Sequence, residues 1–205
     1  RAQVDGGEVD GKPVADWIAS TLKALDDLPN VTRRDRLMGA GVYDHGYALG
    51  YERVNDHTPS NAGPRHRLWR IRAKQIVTAT GAIERPLSFA GNDIPGVMLA
   101  SAVRDYAVNF GVSVGDRTVV VTNNDDAYLT AIAMKNAGLD VPAILDARAS
   151  ANGDLVQQAI DMGIRVEFGR AIAAVKGGKR VTGVKVCAQI GEGAVLSEID
   201  CEVVA

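Results

Sequence analysis

The residues whose order carries the most chemistry lie in VVVTNNDDAYLTAIAMKNAG, Val119 to Gly138. An apolar strand, a tight turn and a helix ending in glycine make the layout of a nucleotide-binding unit. In such units the turn reads G-x-G-x-x-G, because the dinucleotide pyrophosphate lies against bare backbone at the helix start. Here the three glycine positions hold Asn123, Asp125 and Tyr128. Asn123 tolerates the backbone that the first position demands. Asp125 puts a carboxylate where a phosphate would sit, at a helix end whose dipole favours negative charge. Tyr128 replaces the small residue that allows close helix–strand contact. Asp125 or Asp126 is expected to cap the helix instead, contributing about 1 kcal/mol. Asp146, ending the next strand, stands where an acid would hold a ribose 2′-hydroxyl. The expectation is a nucleotide fold kept as scaffold without its ligand.

A second signal is TATGAIERP, Thr78 to Pro86. At the carboxyl end of a central strand, Thr80-Gly81 would let main chain approach a cofactor with no side chain between. An ordinary strand-to-loop turn fits those residues equally well. Glu84 and Arg85 follow, suited to a polar contact at a cofactor or subunit interface, or to a surface ion pair. His45, His57 and His66 all fall in loop-like segments, and no Ser/His/Asp set is evident, so no catalytic residue is assigned. Cys187 and Cys201 lack C-x-x-C spacing and read as two core thiols of a reducing compartment, with neither a redox disulfide nor a metal site.

The elements that must position these residues follow from periodicity. PVADWIASTLKALDDL puts Val14, Trp17, Ile18, Leu22 and Leu25 on one helical face, with Pro13 in the first turn. NVTRRDRLMGAGVYDHGYALGYERV reads as a small antiparallel meander, HTPSNAGPRH as a loop, and RLWRI and KQIVTAT as two further strands, the second central. Beyond the Gly111–Gly115 turn signals, RTVVVT, DAYLTAIAMKNAG, DVPAILDA, DLVQQAIDMG and IRVEF give β-α-β-α-β, half of a doubly wound parallel sheet. AIAAVKGG, KRVTGVKVCA and GAVLSEIDCEVV follow as a β-meander.

Of the 205 residues, 46% are hydrophobic and 23% charged, the composition of a globular chain. A formal net charge of -2 supplies no basic field for nucleic acid or anionic lipid. No apolar run approaches the ~18 residues of a membrane span. The polar opening RAQVDGGEVDGK is not a signal peptide, and the expected location is cytoplasmic. With arginine at position 1 and a strand-like ending, CEVVA, the chain reads as a piece of something longer.

The run ATGAIERPLSFAGNDIPGVMLASAVRDYAVNFGVSVG, followed by VVVTNNDDAY, is similar to the α subunit of heterotetrameric sarcosine oxidases. The likeness runs from the helix near Trp17 to the final strand. In that family the second turn also carries T-N-N-D, and YDHG, Tyr43 to Gly46, resembles a Y-D-H segment of the same proteins. As a bare sequence, YDHG is a surface turn.

The resemblance implies an α/β fold of the FAD/NAD(P)-binding type. A partial first nucleotide domain with a β-meander is expected over residues 1–110. An inserted Rossmann-like βαβαβ domain with a degenerate glycine motif would span 111–202, and 203–205 would begin a strand returning to the first domain. It implies oxidative demethylation of sarcosine to glycine, with hydrogen peroxide and a one-carbon unit passed to tetrahydrofolate. NAD would bind the first domain of the α subunit, FMN the α–β interface and FAD the β subunit, which holds the amine-oxidising site; γ and δ subunits complete the assembly. The glycine fingerprint for NAD and a folate-binding region are absent from these residues. Ala79, Thr80, Gly81 and Ala82 are the positions carried over as cofactor-proximal. The neighbouring readings are the α subunit of a related proline or opine dehydrogenase, and a non-catalytic nucleotide-fold module that binds a partner protein.

Overall fold

The computed structural model describes residues 7–58 and 63–205. Two compact units divide the chain, residues 4–81 and a second running from Ala82 to Ala205.

The first unit opens with a two-residue hairpin, β1 (Glu8–Val9) and β2 (Lys12–Pro13), leading into α1 (Val14–Asp26). Pro13 is the residue before the first turn of α1 and not part of it. The apolar stripe expected on α1 forms, yet Ile18, Leu22 and Leu25 stay exposed. Then β3 (Leu37–Tyr43), β4 (Tyr47–Arg53) and β5 (His66–Arg72) make the antiparallel meander in the order β3-β4-β5. His66 therefore begins a strand and not a loop. Trp69 on β5 is half-buried, donates its indole N–H to Glu52 Oε2 at 2.7 Å, and lies under the guanidinium groups of Arg34 and Arg67. Asp56 gathers Arg36 and Arg53. Burial opposes the charge on Asp56, and the arginines hold its carboxyl below the ordinary value.

KQIVTAT does not form the expected central strand: Lys74 to Thr80 carry no regular structure. The β4–β5 register ends at Tyr47↔Arg72, and no described strand lies beside the residues that follow. Apolar composition alone does not make a strand, which needs neighbouring backbone for its N–H and C=O groups. Val77 is accordingly 89% exposed.

The second unit has three layers. After α2 (Ala100–Phe110) come β6 (Thr118–Thr122), α3 (Asp126–Asn136), β7 (Ile144–Asp146), α4 (Asp154–Asp161) and β8 (Val166–Phe168), the predicted β-α-β-α-β. Next come β9 (Arg170–Gly177), β10 (Val181–Ala188), β11 (Val195–Ile199) and β12 (Val203–Val204). The parallel sheet has the order β12-β6-β7-β8, and β9 to β11 form the expected meander in the order β11-β10-β9. Along β6 the side chains alternate: Val120 packs with residues of α2, α3 and α4, while Val119 and Val121 pack with Val175, Val184 and Val186 of the meander. A strand buried on both faces reads as a continuous apolar run for this reason.

One expected boundary moves. The second unit begins at Ala82, where 111 was expected, because α2 packs on α3 through Val103 and the Thr130 hydroxyl donates to the Ala100 carbonyl. Residues 203–205 include β12, which runs parallel beside β6 and also meets residues 96–98: Met98 N–H donates to the Val204 carbonyl and Val204 N–H to the Gly96 carbonyl, each at 2.9 Å. Cys187 and Cys201 are buried and unpaired with each other, and burial pushes the Cys201 thiol up to about 11, so it stays protonated near neutral pH.

Candidate functional site

The β6–α3 turn sits at the carboxyl end of the parallel sheet, where open α/β sheets bind ligands. Its residues are engaged with the protein itself. Thr122 Oγ1 accepts from Asn124 N–H at 3.0 Å and donates to the Asn124 carbonyl, closing a small loop. Asn124 Oδ1 accepts from Asp126 N–H at 3.0 Å, so Asn124 takes the capping role expected of Asp125 or Asp126. Asp125 is the N-cap residue by position but makes no side-chain cap bond. Asp126 is instead held by Arg104 of α2, whose guanidinium donates to the Asp126 carbonyl at 2.9 Å and to its carboxylate.

Tyr128, at the third glycine position, is fully buried, and its hydroxyl donates to Asp146 Oδ2 at 2.8 Å. Asp146, at the ribose position, is also fully buried. The β6–β7 register pairs Thr122 with Asp146 and brings the end of one strand level with the other. Arg148 completes the arrangement: its backbone N–H donates to Asp146 Oδ1 at 2.9 Å, and its Nη2 donates to Oδ2 at 2.7 Å. Nη1 of the same guanidinium lies 2.8 Å from Asp125 Oδ1, an atom shielded from water and met as an ion contact without the alignment of a hydrogen bond. The other Asp125 oxygen leans on the start of α4, 2.9 Å from where a Cβ on Gly153 would stand.

Three positions that would each serve a dinucleotide, the second glycine, the third glycine and the ribose acid, are thus joined through Arg148. Burial opposes ionisation of Asp146, and the Arg148 guanidinium and N–H with the Tyr128 hydroxyl outweigh it, holding the carboxyl below its ordinary value. Burial, then the hydrogen bond to Asp146, raises Tyr128. The second unit does not fit a dinucleotide: its acid faces inward and its phosphate position carries a carboxylate. Tyr128 and Asp146 stood out in the sequence; Arg148 did not. The only trace of it was an arginine two residues beyond an acid ending a strand.

Ala79, Thr80, Gly81 and Ala82 are exposed and outside regular structure, the first three closing one unit and Ala82 opening the next. Gly81 has φ +74°, a left-handed conformation that favours glycine, and open space where a Cβ would stand. Glu84 has a structural contact in the second unit: its Oε2 accepts from Ser101 N–H at 2.7 Å and from the Ser101 hydroxyl at 2.5 Å, in the first turn of α2. Leu99, the N-cap residue, supplies no side-chain cap. Replacing Glu84 with alanine leaves a helix-end N–H unpaired and is expected to cost about 1 kcal/mol, read as a lower urea midpoint at unchanged slope.

Among the described residues, no helix is long and apolar enough to cross a membrane. No family model matches the chain. The α/β fold is similar to that of solved pyridine-nucleotide-linked oxidoreductases, among them an FAD-dependent pyridine nucleotide-disulphide oxidoreductase of Desulfovibrio vulgaris. Thioredoxin reductase of T. acidophilum is similar over 93% of this chain and 56% of that one, with a TM-score of 0.59 and 15% identity. L-proline dehydrogenase of P. horikoshii is similar over 96% of this chain and 31% of that one, with a TM-score of 0.51 and 19% identity. In sequence, sarcosine oxidase subunit α of Rhizobium meliloti (strain 1021) is 41% identical over 180 residues, 84% of this chain and 18% of the relative. The subunit α of Corynebacterium sp. (strain P-1) is 37% identical over 197 residues, 94% of this chain and 20% of the relative. Over most of its length the chain is similar to sarcosine oxidase α subunits, and it spans about a fifth of the length of those relatives.

Proposed function

We propose that this chain is part of the α subunit of a multisubunit flavin-dependent amine oxidoreductase that demethylates sarcosine oxidatively. The observation that carries the reading is identity of 37–41% over most of the chain with α subunits named for that activity. The role of these residues is nucleotide binding at the first unit and subunit assembly, with the Rossmann-like second unit as scaffold. NAD is the cofactor assigned to the α subunit, approached by main chain at Ala79, Thr80, Gly81 and Ala82, all of them exposed. FMN at the α–β interface and FAD in the β subunit supply the oxidation of the amine. The chain's own part is to present uncluttered backbone, and no proton transfer is assigned to it. The expected partners are β, γ and δ subunits, and the expected location is cytoplasmic.

The test is purification of the complete protein carrying this chain with whatever proteins accompany it, followed by assay with sarcosine and with proline. Peroxide formation dependent on sarcosine, from an assembly containing flavin, is the expected result. Oxidation of proline in its place would move the assignment to an amino-acid dehydrogenase. A lone, flavin-free polypeptide without activity would leave an interaction module.

A further inference from the structure

We infer that the mouth of the β6–α3 turn is an anion site filled by the chain's own carboxylates, and that neutralising Asp125 opens it to a pyrophosphate-class anion. The inference goes beyond the proposed activity and rests on the reading of the second unit as free of dinucleotide. Two guanidinium groups converge on the first turn of α3, and each is tied to one of two consecutive acids: Arg148 to Asp125 and Arg104 to Asp126. Neither arginine is loose. Asp146, fully buried, fixes Arg148 through Nε and Nη2 and so leaves Nη1 aimed at Asp125. The Arg104 side chain is 14% exposed and anchored on the Asp126 carbonyl.

A carboxylate and a phosphate present the same acceptors to such a donor set, and charge-assisted bonds from arginine to either are the strong kind. The helix end adds its dipole. Asp125 is therefore a stand-in for phosphate, delivered in cis at a concentration no free anion matches. Its side chain is 47% exposed although the oxygen on Nη1 is shielded, so an anion reaches Nη1 from solvent by displacing a neutralised side chain. Removing its charge leaves Nη1 without an anionic partner while Asp146 still holds the rest of the guanidinium, so the cation keeps its place.

The experiment measures binding of inorganic pyrophosphate by calorimetry to the complete protein in four forms: native, Asp125→Asn, Asp125→Ala and Asp125→Glu. Any pyrophosphate bound elsewhere, including at the first unit, is common to all four and cancels in the comparison. Whether that unit binds NAD is settled separately, by titrating NAD into the native form. Asn and Ala are expected to bind roughly tenfold tighter than native, and Glu, which retains a carboxylate, to stay at the native level. Equal affinity in native and Asp125→Asn overturns the inference, because the site would then be open already. So does an absence of gain in Asn and Ala forms that melt as cooperatively as native. Failure of both to fold also overturns it, by making Asp125 a structural requirement and not an occupant.

Discussion

Replacing Arg148 with methionine is expected to lower the stability of the second unit by about 3–5 kcal/mol, the usual consequence of deleting one partner of a buried ion pair. Asp146 has no exposed surface, and three of its contacts, from the guanidinium Nε and Nη2 and the backbone N–H, come from Arg148. Without the guanidinium, the carboxylate keeps the Tyr128 hydroxyl and the N–H but loses its counter-charge. The pH dependence gives a second, sharper readout. In the native protein the Asp146 carboxyl lies below its unfolded value near 3.9. Its contribution is fully present above that value and is lost as pH falls through the lower, folded one. In Arg148→Met, burial is left to dominate and the folded pKa rises above the unfolded value, so stability declines as pH rises from about 4 toward neutrality. Subtracting the two profiles removes exposed acids common to both. A constant difference across pH 3–7 would refute the ion-pair account even if the methionine form were less stable.

The same network shows what was legible in the sequence and what was not. The apolar run of β6 and the helical stretch after it are local properties, and they gave the β-α-β-α-β order correctly. The loss of the dinucleotide turn was also local, since Asp125 and Tyr128 stand at glycine positions. What replaced the ligand was not local. Tyr128 meets Asp146 only because β6 and β7 pair in parallel with Thr122 opposite Asp146, and a register is a property of the folded sheet. Capping failed for a related reason: three acceptors crowd one helix start, and the choice of Asn124 follows from Arg104 and Arg148 claiming the two aspartates. KQIVTAT shows the opposite limit, where a correct β-prone pattern meets no neighbouring strand among the described residues.

YDHG marks a different boundary, between a motif shared for chemistry and one shared for shape. Gly46→Ala is expected to destabilise the first unit's meander by about 3 kcal/mol. Asp44, His45 and Gly46 form the turn between β3 and β4, and Gly46 has φ +65°, a conformation that costs an L-residue about 1–2 kcal/mol. An alanine Cβ there would stand 2.0 Å from the Ala73 carbonyl oxygen. Relieving that overlap moves the backbone that accepts the Ala73 N–H at 2.9 Å, and with it the end of β5. His45 is also left-handed at φ +59°, a conformation asparagine adopts readily, so His45→Asn is expected to stay within about 0.5 kcal/mol of the parent. Urea unfolding followed by tryptophan fluorescence, with Trp69 on β5 as reporter, separates the two. A Gly46→Ala protein with the parent's midpoint would mean that the close approach to Ala73 does not fix the meander. A His45→Asn protein stable as the parent but inactive in the sarcosine assay would instead give the histidine a role in the chemistry, which its place in a hairpin turn does not predict.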